Sequence, residues 1–326
     1  MARKIQKIIL QNKRGFEFSF TWLFAILVGA CVLFLAIYGA TQLINQGEYK
    51  SNTQIAKQLT ILFNPLETGL ASGKSTHVDL NTETRIYNKC SSSGAFGSQD
   101  FSISQKSGFM KEWPKPGFDI TLSNKYVFSG EIEQGKRISF FSKPFEMPFK
   151  VSEIIFLTTK KYCFVNSPDF IKEEIRALNL DIKLENCSTP DTKVCFNSGN
   201  CEINVHPSCT GFGCGNEYET GYVTKNSKTL KFTGSLIYGA IFSDAEIYEC
   251  NLKRLMLRIQ QICYVYSDEL RFMSTRGCGN VMSTSLINLA NAAGSTTNSV
   301  GFENLRQAAK TVKQANDAAK EGCKIW

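Results

Sequence analysis

Residues 13–24 read KRGFEFSFTWLF, a basic pair and a glycine running directly into aromatic, uncharged sequence. The length of the apolar run that begins there decides the fold. From Phe18 to Gly47 there is no charged residue, and Phe18 to Ala40 is almost wholly apolar. As a helix, a run of that length crosses a hydrocarbon core of about 30 Å. A cleaved secretory signal has a shorter apolar region, about 7–15 residues, with small residues at both recognition positions. Here Tyr38, before Gly39 and Ala40, puts a bulky ring where a small side chain is required. The stretch therefore predicts a transmembrane helix.

Arg3, Lys4, Lys7, Lys13 and Arg14 precede the apolar run, and mixed charges come after it. The positive-inside rule then places the N-terminus in the cytoplasm and everything after about Glu48 outside. The same five cations account for most of the formal charge of +8, leaving only +4 over residues 18–326. So thin a spread is no footprint for a phosphate backbone, which excludes nucleic acid as a partner. With 326 residues and 43% hydrophobic composition, the chain can bury a sizeable core.

Cysteine usage agrees with this topology. Cys31 lies within the span, whereas Cys90, Cys163, Cys187, Cys195, Cys201, Cys209, Cys214, Cys250, Cys263, Cys278 and Cys323 all fall on the outer side. Cysteines so numerous outside and absent from the basic tail are disulfide candidates in an oxidising compartment. Eleven is odd, so at least one is free, bonded to another chain, or buried as a small hydrophobe.

Beyond the span, Ile55, Leu59, Leu62 and Leu66 keep helical spacing up to Pro65, so span and juxtamembrane segment read as one long helix, bent or broken at Gly47. Residues 67–100 are rich in Gly, Ser and Thr and read as surface loops with one short strand. From Asp100 to about Val165 the period is two: Phe101 and Ile103; Phe118, Ile120 and Leu122; Ile138 and Phe140. Ser167 and Pro168 then open a short helix with Phe170, Ile171, Ile175 and Leu178 on one stripe, and Leu180, Ile182 and Leu184 alternate after it. A strand, helix, strand order of this kind predicts a mixed sheet carrying a helix.

Residues 187–235 read as a cysteine-dense, loop-rich insert. After it the character changes, since all eight prolines lie between Pro65 and Pro207. Ser243 and Glu246 have capping-box spacing, and Leu252, Leu255, Ile259, Ile262, Tyr266, Leu270 and Met273 make one face of a helix of about 30 residues. A shorter helix around Leu286 to Ala293 ends at Gly294, and FENLRQAAKTVKQANDAAK gives a last one with a mostly alanine stripe.

The best metal candidate is Cys195, Cys201, His206, Cys209 and Cys214, because thiolates and an imidazole can fill a tetrahedral zinc shell. Against it, no CxxC knuckle occurs and neighbouring cysteines outside a cell are usually oxidised. Cys195 and Cys201 flank a Ser-Gly-Asn turn, so a bond across a hairpin there is reasonable. Only His77 and His206 offer a base that titrates near neutrality, and there is no GxSxG, P-loop or HExxH. Glu173 and Glu174 sit beside Lys172 and Arg176 and read as a solvated helix face. No catalytic residue and no cofactor are expected. Asn186-Cys187-Ser188 fits the N-glycosylation pattern. Ala25 with Gly29, and Ala36 with Ala40, are small pairs through which two spans could approach and self-associate.

The stretch KRGF, leading into a long apolar run, resembles the N-terminus of type IV prepilins. The resemblance implies cleavage after Gly15, a mature chain beginning at Phe16, and a long helix whose first half is membrane-buried and whose second half packs on a β-sheet domain. It covers about 50 residues. It departs from the bacterial pattern at the fifth mature position, Phe20 instead of glutamate, with Glu17 at the second. The exterior is also large for a major pilin, which points to a minor or pilin-like subunit. LIYGAIFSDAEIYECNLKRLM is similar to single-pass surface proteins of small-genome archaea, a likeness that implies no function.

The sequence thus predicts an α+β protein: a cytoplasmic basic tail (1–15), a transmembrane helix (16–46), a juxtamembrane helix (47–66), a β-rich extracytoplasmic domain (67–235) with a cysteine-rich insert (187–214), and a helical C-terminal part (236–326). It reads as a membrane-anchored surface component that interacts or builds structure, its partners the lipid bilayer and a surface protein or glycan. A pilin-like subunit is the alternative reading. An exported, membrane-tethered enzyme is the third.

Overall fold

A computed structural model describes residues 20–64, 75–106, 112–178, 180–188, 191–197, 199–208, 220–278 and 281–326. The chain divides between Tyr49 and Lys50 into two units. In the first, helix α1 (Phe20–Ile61, 42 residues) begins. It is the one helix among the described residues that is long and apolar enough to cross a membrane, and its apolar window is wholly unburied. No break occurs at Gly47. A glycine inside a helix costs only about 1 kcal/mol relative to alanine, too little to interrupt a helix this long.

The second unit is α+β. Strands β1 (Ser75–Ser91), β2 (Ser98–Gln105), β3 (Ile120–Leu122), β4 (Val127–Phe128), β5 (Ile132–Glu146) and β6 (Lys150–Thr158) form one sheet in the order β3-β2-β1-β5-β6-β4. All its pairings are antiparallel except β4 with β6. β6 is buried on both faces. Ile155 and Leu157 join Ala56, Leu59 and Phe63 at the end of α1, while Ile154 and Phe156 join the larger core on the other side. Phe63 sets its ring edge-on against Phe101 and Phe140, at 5.8 and 5.9 Å. The buried residues of α1 here are therefore Asn52, Ala56, Leu59 and Thr60, with Phe63 buried two residues past its end. Leu62 is 37% exposed, and Leu66 lies outside the described residues.

β1 corrects the reading of 67–100 as loops with one short strand. It runs for 17 residues, with its register shifting between Asp79 and Thr84. Its buried positions are Thr84, Ile86 and Asn88, so the period of two is present but written mostly in polar residues. Phe118, expected in a strand, lies just outside β3.

The second sheet comprises β7 (Tyr162–Val165), β8 (Ile182–Leu184), β9 (Thr192–Phe196), β10 (Ile203–Pro207), β11 (Thr220–Lys225) and β12 (Lys228–Thr233), ordered β12-β11-β10-β9-β7-β8. It is mixed: β8, β7, β9 and β10 pair in parallel, and β10, β11 and β12 antiparallel. The segment expected to be a loop-rich insert thus supplies four strands. They are anchored by Val194, Phe196, Val205, Val223, Leu230 and Phe232, whose alternation is obscured by interleaved Cys, Asn, Lys and Thr. Helix α2 (Asp169–Ala177) connects parallel β7 and β8 and buries Ile171 and Ile175. Pro168, not Ser167, takes its N-cap position, and no side chain caps it.

The C-terminal part is helical: α3 (Leu236–Phe242), α4 (Ala245–Ser274, 30 residues), α5 (Val281–Ser295), a 3-10 turn (Ser299–Gly301) and α6 (Phe302–Asp317). The expected length of α4 stands, but its capping box does not form. Ser243 closes α3, Asp244 takes the N-cap position, and Glu246 turns to Lys228. α5 continues through Gly294, which lies so close to the Gln260 side chain that a Cβ there would overlap its amide. The buried stripe of α6 is Phe302, Leu305, Ala309, Val312 and Asn316 and not mostly alanine.

Packing requires the glycine at 239. In α3, a Cβ at Gly239 would lie 2.7 Å from the fully buried ring of Phe128. Helix propensity alone favours Gly239→Ala by about 1 kcal/mol. The Phe128 ring has no room to yield, so overpacking decides the sign, and a net loss of about 1–3 kcal/mol is expected in a denaturation midpoint.

Candidate functional site

Among the described residues four cysteine pairs stand at disulfide distance, all in the second unit. Cys90–Cys250 joins β1 to α4, with Cα atoms 6.1 Å apart. Cys163–Cys187 joins β7 to the segment after β8 (5.5 Å), and Cys278–Cys323 joins the residues after α4 to those after α6 (5.7 Å). Cys195 pairs with Cys201 as the spacing indicated (5.7 Å), but β9 and β10 run parallel, so the bond spans no hairpin. Cys31 and Cys263 are free; Cys263 is buried, which pushes its thiol up to about 12 and leaves it unreactive. Cys209 and Cys214 lie outside the described residues, as do Gly15 and Phe16.

That pairing removes two thiolates from the metal candidates. His206, on β10, stacks on Tyr222 with ring centroids 4.7 Å apart and sits 3.4 Å from the Thr224 hydroxyl. Among the described residues no group of three or more His, Cys, Asp or Glu side chains could hold a metal ion. His77 is on β1 in the other sheet, lining a pocket of about 270 Å³ with Arg137, Ser139 and Asp181. Arg137 there is held by Asp79 at 2.6 Å. The two histidines are thus on separate sheets. Asn186 is exposed, with φ 53°, beside the bonded Cys187, and the Ser188 hydroxyl is engaged with Asp191.

Glu173 is exposed as expected, but Glu174 is not on a solvated face. It pairs with Lys143 of β5 and accepts a hydrogen bond from the Tyr238 hydroxyl, so α2 is tied to the first sheet and to α3. Burial lowers the Lys143 ammonium from its ordinary value.

Nothing in the sequence pattern marks the largest buried polar centre. Arg254 of α4 is fully buried. It donates to Gln99 Oε1, Asn251 Oδ1 and the carbonyls of Phe96, Leu122, Ser123 and Lys125 at 2.8–3.5 Å. Its guanidinium carbon stands 4.8 Å from the Tyr126 ring centroid. Burial pushes it down to about 10, which still leaves it a cation at neutral pH. Around it, Asn251 and Gln99 both donate to the Val127 carbonyl, and Asn88 donates to the Ser129 hydroxyl. The centre is sealed and joins α4 to β1, β2 and β4.

The accessible polar feature is a groove at the start of α4. Two cavities of about 350 and 360 Å³ share Glu131 and Glu246. Lys225, Asn226 and Lys228 from the β11–β12 turn line one; Tyr87, Lys89 and Ile132 line the other. Asp244 Oδ2 accepts the Glu131 amide at 2.8 Å, and Lys228 pairs with Glu246. Lys225 donates to the carbonyls of Ile241 and Ser243, closing the C-terminal end of α3. Both charge signs are present: Lys228 and Glu246 neutralise one another, while Lys225 and Asp244 are engaged with backbone groups. Such a lining suits a polar partner surface, and it holds no histidine or thiolate.

Burial pushes the Lys225 ammonium down to about 7, against the opposing charge of Asp244 and with help from Lys160. A lysine in the unfolded chain titrates near 10.4. Between pH 7 and 8.5 the unfolded chain therefore binds a proton that the folded one has released, and stability rises with pH. A rise of about 1–2 kcal/mol over that window is expected, flattened by Lys225→Met in urea titrations at each pH. Above about pH 8.5 Cys263 opposes the rise, since its thiol ionises only on unfolding.

No protein-family model, no curated protein and no solved structure matches the chain.

Proposed function

We propose that this chain is a single-pass, membrane-anchored surface component, N-terminus inside, whose disulfide-stabilised α+β body stands outside and engages a surface protein or glycan without catalysis. The observation that carries the reading is the partition of the chain. An apolar, unburied helical segment lies near one end, and the four cysteine pairs all lie beyond it. Disulfides of this number belong to an oxidising compartment, and the positive flank of the apolar run sets its direction. The groove at Glu131 and Glu246 is the surface offered for a polar partner. The test is proteinase digestion of intact cells. The reading expects the body to be digested from outside and a membrane-bound fragment containing α1 to survive alkaline washing. A body protected until lysis would overturn it.

A second reading, a pilin-like subunit processed after Gly15, is favoured by one observation. α1 continues unbroken past the apolar run, and Ala56 and Leu59 in its last turns, with Phe63 just beyond, pack on a β-sheet. Mass spectrometry of the native N-terminus separates the two readings. A chain beginning at Phe16 supports processing, and a retained Arg3–Arg14 segment removes it.

A further inference from the structure

Resting on the reading of the groove as the surface offered to a partner, we propose that it binds a polypeptide segment through an arginine, whose guanidinium pairs with the Glu131 carboxylate while an apolar neighbour sits on Ile132. Glu131 lines both cavities of the groove. It is exposed, and among the described residues its carboxylate has no hydrogen-bond or ion-pair partner. The other charges of the lining are engaged. Lys228 pairs with Glu246, and Lys89 with Asp119 at 2.9 Å. Lys225 turns to the carbonyls of Ile241 and Ser243, and Asp244 accepts the Glu131 amide. One negative charge is left over, where the two cavities meet.

The backbone that carries this charge is fixed before any partner arrives. The Glu131 amide donates to Asp244 Oδ2 at 2.8 Å, and its carbonyl accepts the Asn88 amide at 2.9 Å. The preceding Gly130 amide donates to Glu133 Oε1 at 3.0 Å, and the bond from Cys90, another lining residue, to Cys250 ties β1 to α4. A carboxylate on such a frame loses little freedom on binding. Beside it, Ile132 is 51% exposed and stands opposite Tyr87 in the β1–β5 ladder, and both line the same cavity. This lining favours arginine over lysine, because a planar guanidinium pairs bidentately with a carboxylate and stacks on an aromatic ring. On the other side of the groove the Asn226 carboxamide is exposed and also without a partner among the described residues. It offers the donor and the acceptor that a peptide group requires.

The test presents the full chain, in lipid nanodiscs, to a displayed library of random dodecapeptides. The proposal expects the enriched peptides to share an arginine next to an aliphatic or aromatic residue. Glu131→Gln should weaken the tightest of them by about 10–100-fold, the value of a charge-assisted pair. Glu173→Gln, which removes an exposed carboxylate on α2, should leave it unchanged. Glu131→Arg should select peptides with an aspartate or glutamate in place of the arginine. No enrichment, enriched peptides without a basic residue, or affinity indifferent to residue 131 would overturn the proposal. Proteinase digestion of intact cells reads topology independently, so a body shown to stand outside but lacking arginine-dependent binding removes this partner and leaves the surface reading in place.

Discussion

Arg254→Leu is expected to lower the stability of the body by about 3–5 kcal/mol, read from the denaturant midpoint. The cation is fully buried among six protein acceptors, and one of them, Gln99 Oε1, also accepts the Val127 amide of β4. Removing it leaves carbonyls of the 122–125 segment without donors in a site that water does not reach, and each such loss costs about 1–3 kcal/mol. Lysine is no substitute, because one ammonium cannot reach acceptors spread around a planar fork. A loss under about 1 kcal/mol would mean the segment re-forms its hydrogen bonds elsewhere.

The second large effect belongs to Cys90 and Cys250. Their bond closes a loop with a sequence separation of 160. In the chain-entropy account a loop that long is worth about 5 kcal/mol, so Cys90→Ala with Cys250→Ala should cost about 4–5 kcal/mol by the same titration. The two centres adjoin: Cys90 Sγ is 3.9 Å from Asn251 Oδ1, which accepts from Arg254. Combining the cysteine pair with Arg254→Leu should therefore depart from additivity by about 0.5–3 kcal/mol. Strict additivity would show that bridge and cation act on separate parts of the fold.

How much of the fold is legible in the sequence depends on which residue types write its buried positions. The apolar run and α4 are legible because long apolar stripes have one helical reading; α4 appears with close to the expected bounds, whereas the apolar run is part of one helix that continues to Ile61. β1 is hidden because its inward positions are Thr84, Ile86 and Asn88, a period of two without the apolar signal. Arg254 is hidden for the same reason: three positions after Asn251 and one before Leu255, it looks like the solvent edge of the stripe. Only the three-dimensional convergence of β2 and the 122–125 segment surrounds it. In the groove, Lys225, Lys228, Glu131 and Glu246 each read as ordinary surface charges, and nothing in their spacing joins Glu131 to residues 94 or more positions later. The cysteines announce a disulfide framework, while the partner of Cys90 depends on a fold in which β1 and α4 meet.

A membrane-held chain with an oxidised body is tested most directly by thiol counting on protein from alkali-washed native membranes, alkylated first without and then with reductant. Four cysteine pairs predict that at least eight cysteines become reactive only after reduction, on a chain that stays with the membrane fraction. Cysteines that are all blocked before reduction, or a chain that washes off with alkali, would contradict it.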